Sequence, residues 1–266
     1  MKTALATPTV PAAAAPIYCL GDSHVSFFAG ADVIQPAWPA PAATRLPWFR
    51  VLHLGPILAF SLARPNTRER GRERLFAALE RTVPPRARVL LCFGEIDCRA
   101  HFLKQAARQG RPVEAIVTDC LAAYFHVVQD VQQRGFEVIV YNAIATRLRT
   151  PRRPRREDDY VAVGSWSQRN AATRLFNQGA RQRCQACGAK FLENYPGLVT
   201  SRDKTIPWFY FDAIHLSQRA MPMTLRALAE LYPEAGYPRP PLPHPGWLAR
   251  LADRARKRLR RWCRLT

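Results

Sequence analysis

Ile17-Tyr18-Cys19-Leu20-Gly21-Asp22-Ser23-His24 is the stretch on which the fold turns. A short apolar run that stops at a glycine predicts a buried strand over residues 17–20. Gly21-Asp22-Ser23-His24 then falls on the turn at its carboxyl end. Working outward, the same punctuation recurs: residues 49–54 end at Gly55, and residues 89–93 end at Gly94. Two further strands are expected at 136–141 and 190–193, each entered through a glycine, Gly135 or Gly188. Between the strands lie helical stretches over 70–82 (stopped by Pro84-Pro85), 113–134, 167–187 and 217–231. Strands alternating with helices imply an α/β fold: a doubly wound, mostly parallel five-stranded sheet in a three-layer α/β/α sandwich. Ligands of such sheets bind beyond the carboxyl ends of the strands. Gly21, Gly55 and Gly94 are therefore expected at one rim, where chemistry would occur.

The chain has 266 residues, 48% of them hydrophobic and 23% charged, which excludes a collagen-like or wholly disordered protein. Lys and Arg number 40 against 20 Asp and Glu, a formal net charge of +20. That surplus points to an anionic partner without saying which. Seven cysteines, an odd and scattered set, do not make a disulfide scaffold. Cys184 and Cys187 form a lone CxxC with no second ligand pair, so packed thiols are expected, with no metal and no cofactor.

Ser23, on a tight turn at a strand end, is placed to meet a cleft with its own N–H pointing inward. Far along the chain, Asp212-Ala213-Ile214-His215 precedes the last helix. Such a DxxH turn can set the carboxylate against one imidazole nitrogen and leave the other to take a proton from serine. Each motif alone is weak. In series with Gly55 and with Gly94-Glu95-Ile96-Asp97, they resemble the SGNH (GDSL-type) hydrolase family over residues 17–232, and the resemblance implies its fold. It further implies an esterase or acyl-transfer activity, with Ser23 as nucleophile, His215 as general base and acid, and Asp212 orienting the imidazole. The N–H groups of Ser23 and Gly55 would be oxyanion donors. Acylated small molecules, saccharides or glycolipids are the substrates it suggests.

The chain departs from the family where a donating Asn is usual: that position holds Ile96. Losing one such donor costs about a hundred- to a thousand-fold in rate. Activity is then reduced, or another donor serves, or the site binds without turnover. Arg99 and Asn142 are the candidate replacements, with an ion pair to Glu95 or Asp97 as the alternative for Arg99. His24, Glu95, Asp97 and His101 are candidates for facing substrate, His101 lying one helical turn beyond Asp97. A plain turn cap for His24 and a structural hydrogen bond for His101 stand beside those readings. His53 reads as packed.

Residues 1–15 read as a flexible lead too interrupted by Thr and Pro for a signal peptide. The domain is expected over 16–235, a stiff Pro-rich linker over 236–245, and a basic amphipathic helix over 246–266. That tail carries seven arginines and Lys257 against Asp253. Trp247, Leu251, Leu259 and Trp262 share its apolar face, with Arg254 and Lys257 opposite, a pattern suited to an anionic membrane surface. The expectation is a cytoplasmic protein peripheral to the inner membrane face. A docking helix is the alternative for the tail. A catalytically impaired binding or scaffold protein is the alternative for the whole chain, and nucleic-acid binding, suggested by the basic stretch 147–156, comes last.

Overall fold

The computed structural model describes residues 15–146 and 160–243. Its strands are β1 (Ile17–Gly21), β2 (Phe49–His53), β3 (Arg88–Cys92), β4 (Glu137–Tyr141) and β5 (Lys190–Leu192). The helices are α1 (Ala59–Leu62), α2 (Gly71–Thr82), α3 (Phe102–Gln109), α4 (Val113–Gln133), α5 (Trp166–Cys187), α6 (Tyr195–Leu198) and α7 (Met221–Leu231). All strands are parallel, in the order β2-β1-β3-β4-β5. The winding direction reverses between β1 and β3, so the crevice of this doubly wound sheet opens above that pair. Gly21 and Cys92 are register partners there, which sets the Asp22-Ser23-His24 turn beside the segment that follows β3.

Alternation along each strand divides the core in two. Leu20, Leu52, Leu91 and Val140 meet Phe76, Tyr124, Phe125 and Phe176 on one face. Cys19, Val51, Leu90, Ile139 and Tyr141 meet Phe28, Met221, Leu225 and Leu228 on the other. Five of the six described cysteines are buried, all five in these two clusters, where they pack as small apolar groups.

The boundaries differ from expectation at instructive places. Ser165 caps α5 reciprocally with Gln168, so that helix starts at Trp166. A 3-10 turn over Gln218–Ala220 precedes α7, whose first turn holds Pro222. A π-helical turn, Asp97–His101, and α3 fill a stretch to which the hydrophobic pattern assigned no element. The linker expectation also needs correction at its start. Tyr237 is buried and Arg239 donates to the Ala229 carbonyl at 3.0 Å, so this stretch packs on α7. The expected basic tail, 246–266, and most of the lead, 1–14, lie outside the described residues, as does 147–159. Among the described residues, no helix is long and apolar enough to cross a membrane.

Candidate active site

Ser23 opens a 3-10 turn, Ser23–Ala29, and Asp22 caps it by accepting the His24 N–H at 2.9 Å. The strand end beneath admits only glycine. A Cβ at Gly21 would lie 2.2 Å from the Cys92 carbonyl oxygen. This close approach of β1 to β3 lets the turn emerge over the crevice.

The DxxH segment is shaped by its own aspartate. Asp212 Oδ1 accepts the N–H groups of Ile214 at 2.8 Å and His215 at 2.7 Å, an Asx turn that curls the backbone back on the carboxylate. Oδ2 is left for the ring: His215 Nδ1 lies 2.7 Å from it. A carboxylate only accepts, so Nδ1 carries the proton and Nε2 presents its lone pair. Nε2 lies 2.8 Å from Ser23 Oγ, across 192 positions of sequence. Burial raises the proton affinity of Asp212, but the hydrogen bonds and charge of His215 outweigh it and hold the carboxyl below its ordinary value. Asp32 fastens the two segments together by accepting from Ser217 Oγ at 2.9 Å and Gln218 N–H at 2.6 Å. Sequence reasoning did not find Asp32, because nothing local to residue 32 signals a partner so distant.

Gly55 follows β2 with φ of +97°, a conformation that favours glycine. Its N–H has no hydrogen-bond partner among the described residues. The loop after it is pinned by Asp97, which accepts Ala59 N–H at 2.7 Å and Phe60 N–H at 3.2 Å.

That contact corrects the expectation that Asp97 faces substrate. It is fully buried, and burial pushes its carboxyl up to about 7 against the opposing pull of the Ala59 and Phe60 N–H groups. His101 makes no bond to Asp97; its ring packs on Phe60 at 4.6 Å. Burial and the charges of Arg64 and Lys104 push its imidazole down to about 4. His53 Nδ1 lies 2.9 Å from the Gln35 carbonyl, consistent with packing.

Both expected replacement donors also have other partners. Asn142 donates to the Ala143 carbonyl at 2.9 Å and accepts the Asn194 N–H at 2.7 Å. Arg99 donates through Nε to both Glu95 oxygens, at 2.9 and 3.1 Å, and through Nη1 to the Tyr160 carbonyl. The ion pair weighed as the alternative for Arg99 is therefore what forms. Ile96 itself is buried. Glu95 turns inward too, with Oε2 lying 2.8 Å from His24 Nε2. The two residues face protein rather than solvent. Burial opposes the Glu95 charge, yet Arg99 and His24 hold the carboxyl down to about 2. Asp22, buried beside them, is pushed up to about 6, chiefly by burial. Among the described residues, Asp22 Oδ2 and His24 Nδ1 have no hydrogen-bond partner, and both residues line one small cavity with Tyr141.

No family model and no curated protein matches the chain. Solved structures do. One is a Streptococcus pneumonia protein named for a platelet activating factor, with 15% identity over 84% of this chain and 86% of that one, and a TM-score of 0.51. An acetylxylan esterase from Geobacillus stearothermophilus is similar at 14% identity, covering 85% and 96% of the two chains, with a TM-score of 0.49. A phospholipase A1 from Streptomyces albidoflavus is similar at 16% identity, covering 82% and 99%, with a TM-score of 0.44. The first of these likenesses, with the all-parallel sheet and its strand order, shows a shared three-layer α/β/α fold.

Proposed function

We propose that the protein is a serine ester hydrolase or acyl-transfer enzyme. The observation that carries the reading is the unbroken chain from Ser23 Oγ through His215 to Asp212, with contacts of 2.8 and 2.7 Å. Ser23 Oγ attacks an ester carbonyl while its proton passes to His215 Nε2. The carbonyl π pair moves onto oxygen, facing the N–H groups of Ser23 and Gly55. As the tetrahedral centre collapses, the leaving alcohol takes the proton from Nε2 and an acyl-Ser23 remains. Water, or an acceptor hydroxyl, then reverses the sequence. Asp212 holds the imidazole in the needed tautomer and supports the imidazolium. Acylated saccharides or glycolipids are the substrate class proposed, on the family resemblance of the motifs. Attachment to an anionic inner membrane face through 246–266 is proposed on the composition of that tail.

A fluorophosphonate probe followed by peptide mass spectrometry tests the reading. Ser23 is expected to carry the adduct, and Ser23→Ala to lose both the adduct and ester hydrolysis. A second reading, a binding module that kept the fold without turnover, is favoured by Ile96 at a donor position. An unlabelled Ser23 together with an inert ester assay would decide for it.

A further inference from the structure

His24, Glu95 and Arg99 form a buried charged cluster that the mechanism above leaves unused. Their exposures are 5%, 4% and 8%. Glu95 receives the His24 ring on one side and the Arg99 guanidinium on the other. The His24 ring in turn lies against His215, with centroids 4.7 Å apart and planes tilted by 36°. On the same catalytic ring, Phe211 stacks at 5.8 Å and 18°. A cluster this costly to desolvate calls for a role.

We infer that His24, held as an imidazolium by Glu95, is a positioning residue that supports the His215 ring. It also supplies, one residue from the Ser23 N–H, a fixed positive charge in place of the neutral donor lost at Ile96. The inference rests on the esterase reading. A buried charge acts on a developing oxyanion over a longer range than a hydrogen bond. His24 itself exchanges no proton in the reaction.

The groups facing His24 are Asp22 on its own turn, Glu95 and Arg99 after β3, and His215, with His53 at the end of β2 also within electrostatic reach. Burial and Arg99 oppose its charge, but Glu95 and Asp22 prevail and raise its proton affinity above the ordinary imidazole value.

The test is the pH dependence of kcat/KM for p-nitrophenyl acetate between about pH 5 and about pH 10. The parent should show an alkaline limb, its activity falling as His24 loses its proton. Glu95→Gln removes the supporting charge and should move the alkaline limb to lower pH. Arg99→Gln removes an opposing charge and should move it to higher pH. His24→Gln should abolish that limb and lower the plateau about ten- to a hundred-fold. A parent with no alkaline limb, or a limb unmoved in Glu95→Gln and Arg99→Gln, overturns the inference, as does an unchanged plateau in His24→Gln. Should any of these three buried variants fail to fold by circular dichroism, the parent profile and the remaining variants still decide. Labelling of Ser23 by fluorophosphonate with unmoved limbs sinks this inference alone; absent labelling in the parent sinks the esterase reading first.

Discussion

Asp97→Asn separates a structural carboxyl from a substrate-facing one. Asp97 is fully buried and accepts the N–H groups of Ala59 and Phe60. Burial lifts its pKa from 3.8 to about 7. A folded-state pKa raised above the unfolded value means that the native state holds its proton longer. The stability tied to that proton is complete below the unfolded value and lost as pH rises through the folded one. The rise corresponds to about 4 kcal/mol, at ~1.4 kcal/mol per unit. Asparagine buries no charge but offers one carbonyl acceptor where Asp97 uses both oxygens, so one of the two N–H groups faces its NH2. The variant should therefore be less stable than the parent by about 1–3 kcal/mol near pH 4, where both are neutral in the native state. By about pH 8 the difference should have moved toward the variant by up to about 4 kcal/mol, because only the parent has lost the proton. Urea unfolding of both proteins at intervals across that range measures the difference, and the raised pKa of Asp22 cancels because the two proteins share it. Asp97→Ala should instead be destabilised throughout, since two N–H groups lose their acceptor at about 1–3 kcal/mol each. A stability difference between Asp97→Asn and parent that stays constant with pH would refute this account of the carboxyl.

Glu95 predicts the opposite sign. Its pKa falls from 4.5 to about 2, so its contribution, about 3 kcal/mol, is present above the unfolded value and lost as pH falls toward the folded one. Glu95→Gln should be less stable than the parent at neutral pH, with the gap closing in acid, followed by the same urea titrations. Asp212→Asn should keep the fold and lower kcat by about four orders of magnitude through the wrong imidazole tautomer, read in the ester assay. Gly21→Ala should destabilise by several kcal/mol, because its Cβ would lie 2.2 Å from a backbone oxygen that cannot swing away; thermal melts measure it. Deletion of 246–266 should abolish sedimentation with phosphatidylserine vesicles at low salt while leaving soluble ester hydrolysis intact.

The fold was legible because its signals are local. Apolar runs at 17–20, 49–54 and 89–93 each meet a glycine, and the observed strands Ile17–Gly21, Phe49–His53 and Arg88–Cys92 match them within a residue. The α3 region was not legible. Its helix carries Lys104, Gln105, Arg108 and Gln109 with Phe102 and Ala106 buried, too short and too polar for the pattern to rise above a loop. The start of the expected linker was misread for another reason. Proline content signals stiffness, but it does not report that Tyr237 finds a place in the core against Tyr232.

At the site, the same distinction between local and distant contacts explains what was read and what was missed. Asp212 and His215 pair within one turn, so their spacing alone carries the geometry. Arg99 lies close to Ile96 in the chain and Asn142 follows a nearby strand end, which is why the local pattern favours both as replacement donors. Both side chains are instead engaged by protein acceptors. What the local pattern could not show is that Glu95 reaches His24 across 71 positions. Glu95 and His24 are intelligible only as a pair. A histidine alone at position 24 would be buried with little support for its charge, and a glutamate alone at position 95 would lose one of its two cationic partners. Together with Arg99 they let a charge persist beside the His215 ring. Position 96 can then be apolar without leaving the site electrostatically bare.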